Sequence, residues 1–443
     1  MAGEWNERLL GDVIDIKHGF AFKGEFFRAE PPGDILLTPG NFAVGGGFKA
    51  EKLKYYDGPV PDEFVLHEGD LVVTMTDLSK DTDTLGYPAF VPSAKDGARY
   101  LHNQRLGKVI LIDKSCDLGY LHYLMCSREY RHEIIASATG TTVRHTSPYR
   151  IKRFRFLLPP PGEQRAISQI LGVLDRKIEL NRRTNKTLEE MVRALFESWF
   201  VDFDPVRAKS EGRDTGLPSY LADLFPSRFM GPEEERLPEG WGVGAILAQA
   251  QLLGGGTPKT DCEEFWGGSI SWATAKDVSQ CADMYLLATE RTITEKGLQE
   301  SATQLIPERA TVVVARGATT GRMVMLGRKM AMNQTCYAVS SSVGCPFALY
   351  CQLRAKMDEL VYTAHGSVFD TITTSTFHAT RFVLPPEDAL RAFDLVAGPT
   401  FERILISSNE SCTLTALRDA LLPRLISGEL SVKDAEKFVG STL

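Results

Sequence analysis

The feature that most constrains this chain is an internal repeat, in which residues 138–196 recur as residues 364–422 at a constant offset of 226 positions. The equivalent pairs include Ala138 and Ala364, Gly140 and Gly366, Arg155-Phe156 and Arg381-Phe382, Leu158-Pro159-Pro160 and Leu384-Pro385-Pro386, Gly172 and Gly398, Ile178 and Ile404, and Ala194-Leu195 and Ala420-Leu421. Self-similarity on this scale predicts two copies of one module in a pseudo-twofold relation. A ligand with matching two-part geometry is then expected.

Length and composition place the chain among ordinary globular proteins. Its 443 residues predict about three domains, and 43% hydrophobic and 24% charged residues suffice for real cores. The sequence has no apolar run long enough for a membrane span and begins without a signal-peptide stretch, so we expect a cytoplasmic protein. The net charge of −7 argues mildly against nucleic acid as a partner.

Hydrophobic periodicity predicts an α+β fold, with two mixed α/β domains in pseudo-twofold repeat separated by long antiparallel coiled-coil helices. Short β-type runs and a helix around residues 118–138 define a first domain at 1–156. The same pattern of short runs, with a helix around 346–363, defines a second domain at 237–382. A helix at 157–203 follows the first domain and a helical region at 383–430 follows the second. Residues 204–236 are predicted as a connector and residues 431–443 as a tail.

A four-three spacing of apolar residues predicts that the two long helices form a coiled-coil seam. The seam positions that we assign to helix pairing or partner docking are Ile167, Leu171, Leu174, Ile178, Asn181, Asn185, Leu188, Leu195, Ile404, Leu414 and Leu421. Asn181 and Asn185 interrupt the first stripe, and Ser407 and Ser411 interrupt the second at equivalent positions, which favours packing of one helix on the other. The Gly398-Pro399 pair predicts a break in the second helix.

Catalytic signatures are missing from the sequence. The glycine run at 254–256 lacks the second half of a phosphate-binding loop, and no metalloprotease or nucleophile-elbow motif is present. The cysteines and histidines are too scattered for a metal site, so ordinary reduced thiols are expected.

A basic segment at 143–156 carries Arg144, His145, Arg150 and Lys152 without an acidic residue. Such a cluster suits a phosphate backbone, and it is equally typical of a solvated amphipathic strand. The second copy keeps little of this charge, as two modules that read different sequences would. Both interpretations stay open at this point.

Asn103-Gln104 recurs as Asn333-Gln334. Amide side chains can read adenine edges, but they also tie strand ends to loops. Since residues that specify sequence ought to differ between copies, the structural role is favoured.

Further candidates for DNA contact lie in loops. Lys23 and Lys259 follow glycine-containing loops at the start of each domain, and the neighbouring aromatic residues are predicted to be core. Aligning LVVTMTD with TVVVARGATTG places Thr76 opposite Arg316, which could be aimed outward beside Gly317. Arg105 and Thr320 complete the candidate set.

These landmarks together resemble the specificity subunit of type I restriction-modification systems. The resemblance rests on the Leu-Pro-Pro entry followed by EQRAI at 163–167, the LFESWFVDFDPVRAK segment, the renewed start LPEGW at 237–241, and the tail LRDALLPRLISGEL at 417–430. It implies two target recognition domains that each read half of an asymmetric, interrupted site in double-stranded DNA, while the helices act as a ruler.

The resemblance also implies that the chain has no activity of its own. Two methyltransferase subunits would dock on the helices and bring S-adenosylmethionine, and restriction subunits with ATP and magnesium could join. Two other interpretations remain: a coiled-coil scaffold that binds only proteins, and a self-contained methyltransferase or nuclease.

Overall fold

The computed structural model describes residues 5–79, 82–94, 97–232, 236–365 and 371–440. The chain forms two compact units, of which unit 1 comprises Met1–Lys177 and Leu414–Leu443 and unit 2 comprises Ile178–Thr413. Each unit contains one α/β domain and parts of the two long helices. Among the described residues, no helix combines the length and apolarity that a bilayer crossing requires.

Short strands and helices build the domain of unit 1. The strands are β1 (Asn6–Leu9), β2 (Ile14–His18), β3 (Phe27–Arg28), β4 (Asp34–Leu36), β5 (Lys54–Tyr56), β6 (Val65–Leu66), β7 (Leu71–Thr74), β8 (Thr76–Asp77), β9 (Pro88–Phe90), β10 (Tyr100–Leu101), β11 (Leu106–Leu111), β12 (Arg144–His145) and β13 (Arg155–Leu158). The helices are α1 (Leu118–Cys126), α2 (Arg128–Ala136) and α3 (Pro148–Lys152). The predicted helix at 118–138 is therefore divided at Ser127, whose side chain caps α2.

Two sheets face each other across the core of unit 1. One has the order β2-β11-β7-β9 and is antiparallel throughout, and the other has the order β3-β5-β4-β10-β6. Every side chain of β7 is buried, and Val72 packs with Ile35, Leu66 and Leu106 in one cluster. This continuous β-branched and apolar run explains why the segment forms a strand covered on both faces.

The two long helices are α4 (Pro161–Phe200) and α12 (Glu387–Ile426), each of 40 residues. At 1.5 Å per residue each is about 60 Å long. Their seam is buried in unit 1 at Ile167, Leu171, Leu174, Leu414 and Leu421 and in unit 2 at Ile404, while Ile178, Leu188 and Leu195 are half-buried.

Unit 2 repeats the plan. Besides α5 (Asp204–Ser210) and α6 (Ser219–Ala222) in the connector, it contains β14 (Phe229–Met230), β15 (Leu237–Pro238), β16 (Gly242–Gly244), β17 (Ala250–Gly254), β18 (Trp266–Ala273), α7 (Ala275–Gln280), β19 (Tyr285–Leu286), β20 (Arg291–Ile293), α8 (Glu295–Gln299), β21 (Thr311–Val314), β22 (Met323–Leu326), β23 (Ala331–Met332), β24 (Cys336–Ser341), α9 (Pro346–Ala355), α10 (Met357–His365), α11 (Thr374–Ala379) and β25 (Phe382–Leu384). Helix α13 (Val432–Gly440) follows α12 and belongs to unit 1.

The principal sheet of unit 2 has the order β17-β24-β21-β22-β19, and its second sheet has the order β20-β18-β23. Strands β17, β24 and β21 pair antiparallel as β2, β11 and β7 do in unit 1. The strand signals of the sequence are thus confirmed in both copies.

The predicted break at Gly398-Pro399 is wrong, because α12 runs through both residues. Gly398 has no Cβ to clash with the proline ring, which relieves the usual restriction on the residue before proline. On either side, Phe393 and Phe401 are fully buried in the core of unit 2. Tertiary packing therefore holds the helix where local propensity predicts a stop.

Candidate nucleic-acid interface

In unit 1, the ends of β7 and β11 bring most of the sequence-predicted residues together. The Met75 amide donates to the Arg105 carbonyl over 2.9 Å, and the Thr146 amide donates to the Met75 carbonyl over 3.0 Å. Strand β8 pairs with β12, so Thr76 lies opposite His145 and Asp77 opposite Arg144. Residues far apart in sequence thus share one rim of the domain.

Thr76 is buried, whereas His145 is exposed. The Thr76 hydroxyl shares a hydrogen bond of 3.2 Å with His145 Nδ1. This bond orients the imidazole and leaves its Nε2 edge for a ligand. Thr76 therefore positions a neighbour that could contact DNA.

Arg150 joins the same rim. Its Nη1 donates to the Thr139 hydroxyl over 3.2 Å, and Thr139 pairs through its backbone with His145. Arg105 is exposed and Arg144 is half-buried. None of these three arginines forms an ion pair within the described part of the chain.

Of the other cations in the basic segment, Lys152 and Arg155 pair with acids, whereas Arg153 contacts the Tyr149 ring. Lys152 Nζ lies 2.8 Å from Asp15 Oδ1, and Arg155 lies 3.7 Å from Glu7. The hydrogen bond from Lys152 lowers the pKa of Asp15. The segment thus divides between a solvent-facing part at 144–150 and a part that braces the domain, and the DNA contact proposed for Lys152 stays a prediction.

Asp77 and Arg131, which sequence reasoning missed, hold the loop that follows β8 in place. Burial alone would raise the pKa of Asp77, but hydrogen bonds from Ser79 and Thr84 outweigh it and lower that pKa. Arg131 donates to the Thr82 and Asp83 carbonyls and stacks 3.8 Å from the Tyr87 ring centroid. The Arg131 contacts span up to 49 positions, so no local pattern reveals that residue.

Lys23 is exposed at the end of a loop that packs beside Arg105. The Phe20 amide donates to the His102 carbonyl, and the Gln104 amide donates to the Phe20 carbonyl. At Gly19 a Cβ would lie 2.0 Å from the Asn103 carbonyl oxygen, so only glycine fits. Lys23 Nζ lies 3.9 Å from Glu25 Oε1 at the surface.

The paired asparagines have the structural role that the sequence favours. Asn103 Oδ1 accepts the Arg105 amide over 3.0 Å, and Asn333 Oδ1 accepts the Thr335 amide over 3.2 Å. Both side chains close the turn that leads into the next strand. That interpretation is confirmed.

The rim of unit 2 uses the same backbone network with different side chains. The Ala315 amide donates to the Thr335 carbonyl over 2.9 Å, and the Ile372 amide donates to the Ala315 carbonyl over 3.0 Å. These bonds match those of Met75, so Arg316 occupies the place of Thr76. Arg316 is exposed, and Gly317 beside it has a φ of 101°.

Thr320 closes the loop that carries Arg316. Its hydroxyl donates to the Gly317 carbonyl over 2.7 Å, and its amide donates to the same oxygen over 3.1 Å. Thr320 therefore shapes the loop, and its proposed contact with DNA stays a prediction.

Lys259 is exposed on a loop that two indole groups hold in place. Trp272 Nε1 donates to the Gly256 carbonyl and Trp266 Nε1 to the Lys259 carbonyl, each over 3.0 Å. The Thr257 hydroxyl reaches Gln334 Oε1 over 2.5 Å and so links this loop to the turn beside Arg316. Of the aromatic residues predicted to be core, Phe265 is buried, Phe26 and Trp266 are half-buried, and Phe27 is exposed, so the prediction is wrong for Phe27.

The central part of the helix pair is polar. Asn181 Nδ2 donates to Glu410 Oε2 over 2.8 Å and to the Ser411 hydroxyl over 3.2 Å, and Asn185 Nδ2 donates to the Ser408 hydroxyl over 3.0 Å. The predicted facing of the two polar interruptions is therefore confirmed within unit 2. Buried amides of this kind fix register between helices.

Two exposed apolar side chains, Leu180 on α4 and Ile406 on α12, differ by the repeat offset of 226 positions. They are 58% and 59% exposed. Equivalent exposed positions on both helices are candidates for docking two copies of one partner.

Comparison with known proteins identifies the family of this chain. The family described as "Type I restriction modification DNA specificity domain" matches residues 2–190 and 238–389. Because these matches cover more than half of its length, the chain belongs to this family. The resemblance drawn from the sequence is confirmed.

Among its relatives, the type I restriction enzyme HindI specificity subunit of Haemophilus influenzae is 27% identical over 477 residues, which cover 96% of this chain and 100% of the relative. The MjaIX specificity subunit of Methanocaldococcus jannaschii is 25% identical over 319 residues, which cover 71% of this chain and 69% of the relative. The crystal structure of the type I restriction-modification S subunit from M. genitalium matches with a TM-score of 0.56 and 15% identity, covering 95% of this chain and 96% of that one. This likeness confirms the fold.

The described residues contain no group of three or more histidine, cysteine or acidic side chains arranged to hold a metal ion.

Proposed function

We propose that this chain is the non-catalytic specificity subunit of a type I restriction-modification complex and reads a bipartite, asymmetric site in double-stranded DNA. Each unit reads one half-site through the rim that its principal sheet presents. The observation that carries the proposal is the repeated backbone network around Met75 and Ala315, which holds different side chains in the two copies. A constant frame with variable side chains is what two modules with different target sequences require.

The two rims suit DNA by their chemistry. Unit 1 offers Arg105, Arg144, His145 and Arg150, with Thr76 as a positioning residue, and unit 2 offers Lys259 and Arg316. Guanidinium groups bind phosphates and read guanine edges bidentately. Each well-read base pair contributes about 1–3 kcal/mol of discrimination. The overall charge of −7 is compatible with this role, because exposed cations at each rim can act locally on DNA.

Partner subunits supply the chemistry in this proposal. Two methyltransferase subunits dock on the helix pair, one against each of the equivalent apolar positions Leu180 and Ile406, and bring S-adenosylmethionine. Restriction subunits, where the system includes them, bring ATP and magnesium. The chain itself contributes sequence reading and assembly.

Selection from a duplex library with a randomised central segment tests the proposal. The chain, co-purified with its methyltransferase partner, is expected to enrich one sequence with two fixed half-sites and an unspecified spacer. Parallel selection with the methyltransferase alone is the control. Enrichment of no bipartite sequence would contradict DNA reading and favour a protein-binding scaffold.

A further inference from the structure

The second sheet of unit 2 carries a cation that the proposed reading rim does not include. Arg291 begins β20, and its guanidinium carbon lies 3.5 Å from the centroid of the Trp266 ring and 5.7 Å from that of Trp272. The two indoles meet edge to face, with centroids 5.0 Å apart. A guanidinium so close to an indole face is held flat by cation–π attraction and keeps its N–H edge for a ligand.

The same two tryptophans hold the Lys259 loop. Trp266 donates to the Lys259 carbonyl and Trp272 to the Gly256 carbonyl. Arg291 is therefore fixed to the platform that positions Lys259, and both cations are exposed. Through Thr257 and Gln334 this platform continues to the turn beside Arg316.

Charge balance distinguishes Arg291 from its neighbours. Lys276 pairs with Glu290 over 2.7 Å and Lys296 with Glu264 over 2.5 Å, so those cations are neutralised. Arg291 has no acidic partner among the ion pairs found in the described residues. In the second sheet of unit 1, by contrast, Arg28 on β3 pairs with Asp57 over 2.9 Å.

We propose that Arg291 and Lys259 form a clamp for backbone phosphates of the half-site that unit 2 reads. This inference rests on the proposed function and deepens it: the clamp fixes the duplex on the second sheet, while the Arg316 loop contacts base edges. A planar guanidinium, preorganised by the indole that also holds the Lys259 loop, matches the geometry and charge of a phosphodiester. The contact carries no sequence information of its own.

Replacement of Arg291 by glutamine in the full chain, co-purified with its methyltransferase partner, tests the clamp. Binding is measured over a salt series to the duplex recovered by selection and to one of equal composition in scrambled order. We expect Arg291→Gln to weaken both affinities by about tenfold at low salt. The slope of log K against log salt should fall by about 0.9, the value for one lost phosphate contact.

Two further variants separate charge from packing. Arg291→Lys keeps the charge and should restore most of the salt slope, whereas Lys114→Gln removes an exposed lysine beyond the far end of β11 and should leave binding unchanged. If Arg291→Gln binds both duplexes as the unmodified chain does, the clamp is refuted even where the chain reads DNA. A loss confined to the selected duplex also overturns it, since Arg291 would then read bases. Failure of the unmodified complex to select any sequence is a separate result, which removes the proposed function itself.

Discussion

The rims of the two units differ in side chains while the backbone hydrogen bonds around Met75 recur around Ala315. Gly19 and Gly255 both lie so close to an asparagine carbonyl that a Cβ would be within 2.0 and 2.2 Å of it. Yet Thr76 is replaced by Arg316, Arg105 by Thr335 and His145 by Thr371 at matching places. The frame is thus constrained by close packing, and the positions that we propose to face DNA differ between the copies.

The two units also differ in the type of interaction that attaches each domain to the long helices. In unit 1 it is polar: Gln164 accepts the Asp117 amide and donates to the Pro159 carbonyl, each over 2.8 Å. In unit 2 the equivalent residue is Leu390, fully buried in an apolar core. One geometry is therefore stabilised by hydrogen bonds in one copy and by hydrophobic packing in the other.

A pair of tryptophans shows the same contrast. Trp5 Nε1 donates to Glu163 Oε2 over 3.1 Å, whereas Trp241 Nε1 is buried without a hydrogen-bond partner in the described part of the chain. Ala389 stands where the repeat would place the glutamate. In unit 2 the indole packs against the rings of Phe200, Phe203 and Phe225, and the polar contact of unit 1 is lost.

The largest expected effect comes from the ion pair in unit 1. Arg418 Nη1 lies 2.8 Å from Asp175 Oδ1, and the Tyr123 hydroxyl donates to the other carboxylate oxygen. The positions equivalent by the repeat in unit 2 are Val192 and Phe401, both buried. Arg418→Met leaves the Asp175 carboxylate half-buried without its cation, and should lower the free energy of unfolding by about 2 kcal/mol.

Urea unfolding of the full chain measures this effect. Arg424→Met is the matched control, because Arg424 on the same helix is exposed and lies 3.6 Å from Glu429. Equal losses for the two variants would show that Asp175 is no more dependent on its cation than a surface carboxylate.

A pH-dependent effect is expected in unit 2. Burial of Glu189 on α4 and the nearby Asp283 carboxylate raise the pKa of Glu189 from 4.5 to about 7. The Met284 amide and Arg354 act to lower this pKa but are outweighed. Folded protein therefore binds this proton more tightly than unfolded protein, and stability falls as pH rises from about 4.5 to about 7. Glu189→Gln removes the penalty and should stabilise the chain at pH 8 by about 1–2 kcal/mol, with little change at pH 5.

Thermal melts at the two pH values test this prediction. Glu239→Gln, at an exposed position of the same unit, is the control and should behave alike at both. An equal gain for Glu189→Gln at pH 5 and pH 8 would contradict the assignment to a buried carboxylate.

The smallest effect concerns a backbone position that has a positive φ in both copies and is occupied by glycine only in unit 1. Gly69 and Arg309 both have positive φ, 82° and 63°, and both amides donate to the strand opposite. Arg309 also pairs with Glu402 at the surface. Arg309→Gly loses a weak surface pair and relieves backbone strain, so its stability should stay within about 0.5 kcal/mol of the unmodified chain.

Arg309→Ala provides the matched comparison. It keeps the strained backbone and loses the pair, and its unfolding free energy should be lower than that of Arg309→Gly by about 1 kcal/mol. Alanine and glycine variants of equal stability in urea unfolding would show that the position carries no strain.

Much of this organisation could be predicted from the sequence. The constant offset of 226 positions defines the repeat, and runs such as Leu71–Thr74 and Thr311–Val314 define buried strands. The alignment of Thr76 with Arg316 identified equivalent rim positions, although the offset there is 240. Periodicity and composition suffice for these features because they are local or repeated.

The rest depends on contacts between distant residues. Arg131 and Arg291 show no local signal, since their roles arise only when strands and loops meet. The continuity of α12 through Pro399 likewise follows from packing of Phe393 and Phe401. Lys152 looked like its basic neighbours in sequence, and only the fold shows that Asp15 pairs with it.

The independence of the two modules is the central claim, and exchanging one of them tests it most directly. Residues 237–382 are replaced by the corresponding domain of a relative with a different target, and the chimaera is passed through the same duplex selection beside the unmodified chain. We predict that one half-site changes to that of the relative while the other is retained. A change in both half-sites, with the chimaera folded and bound to its methyltransferase partner, would contradict the claim.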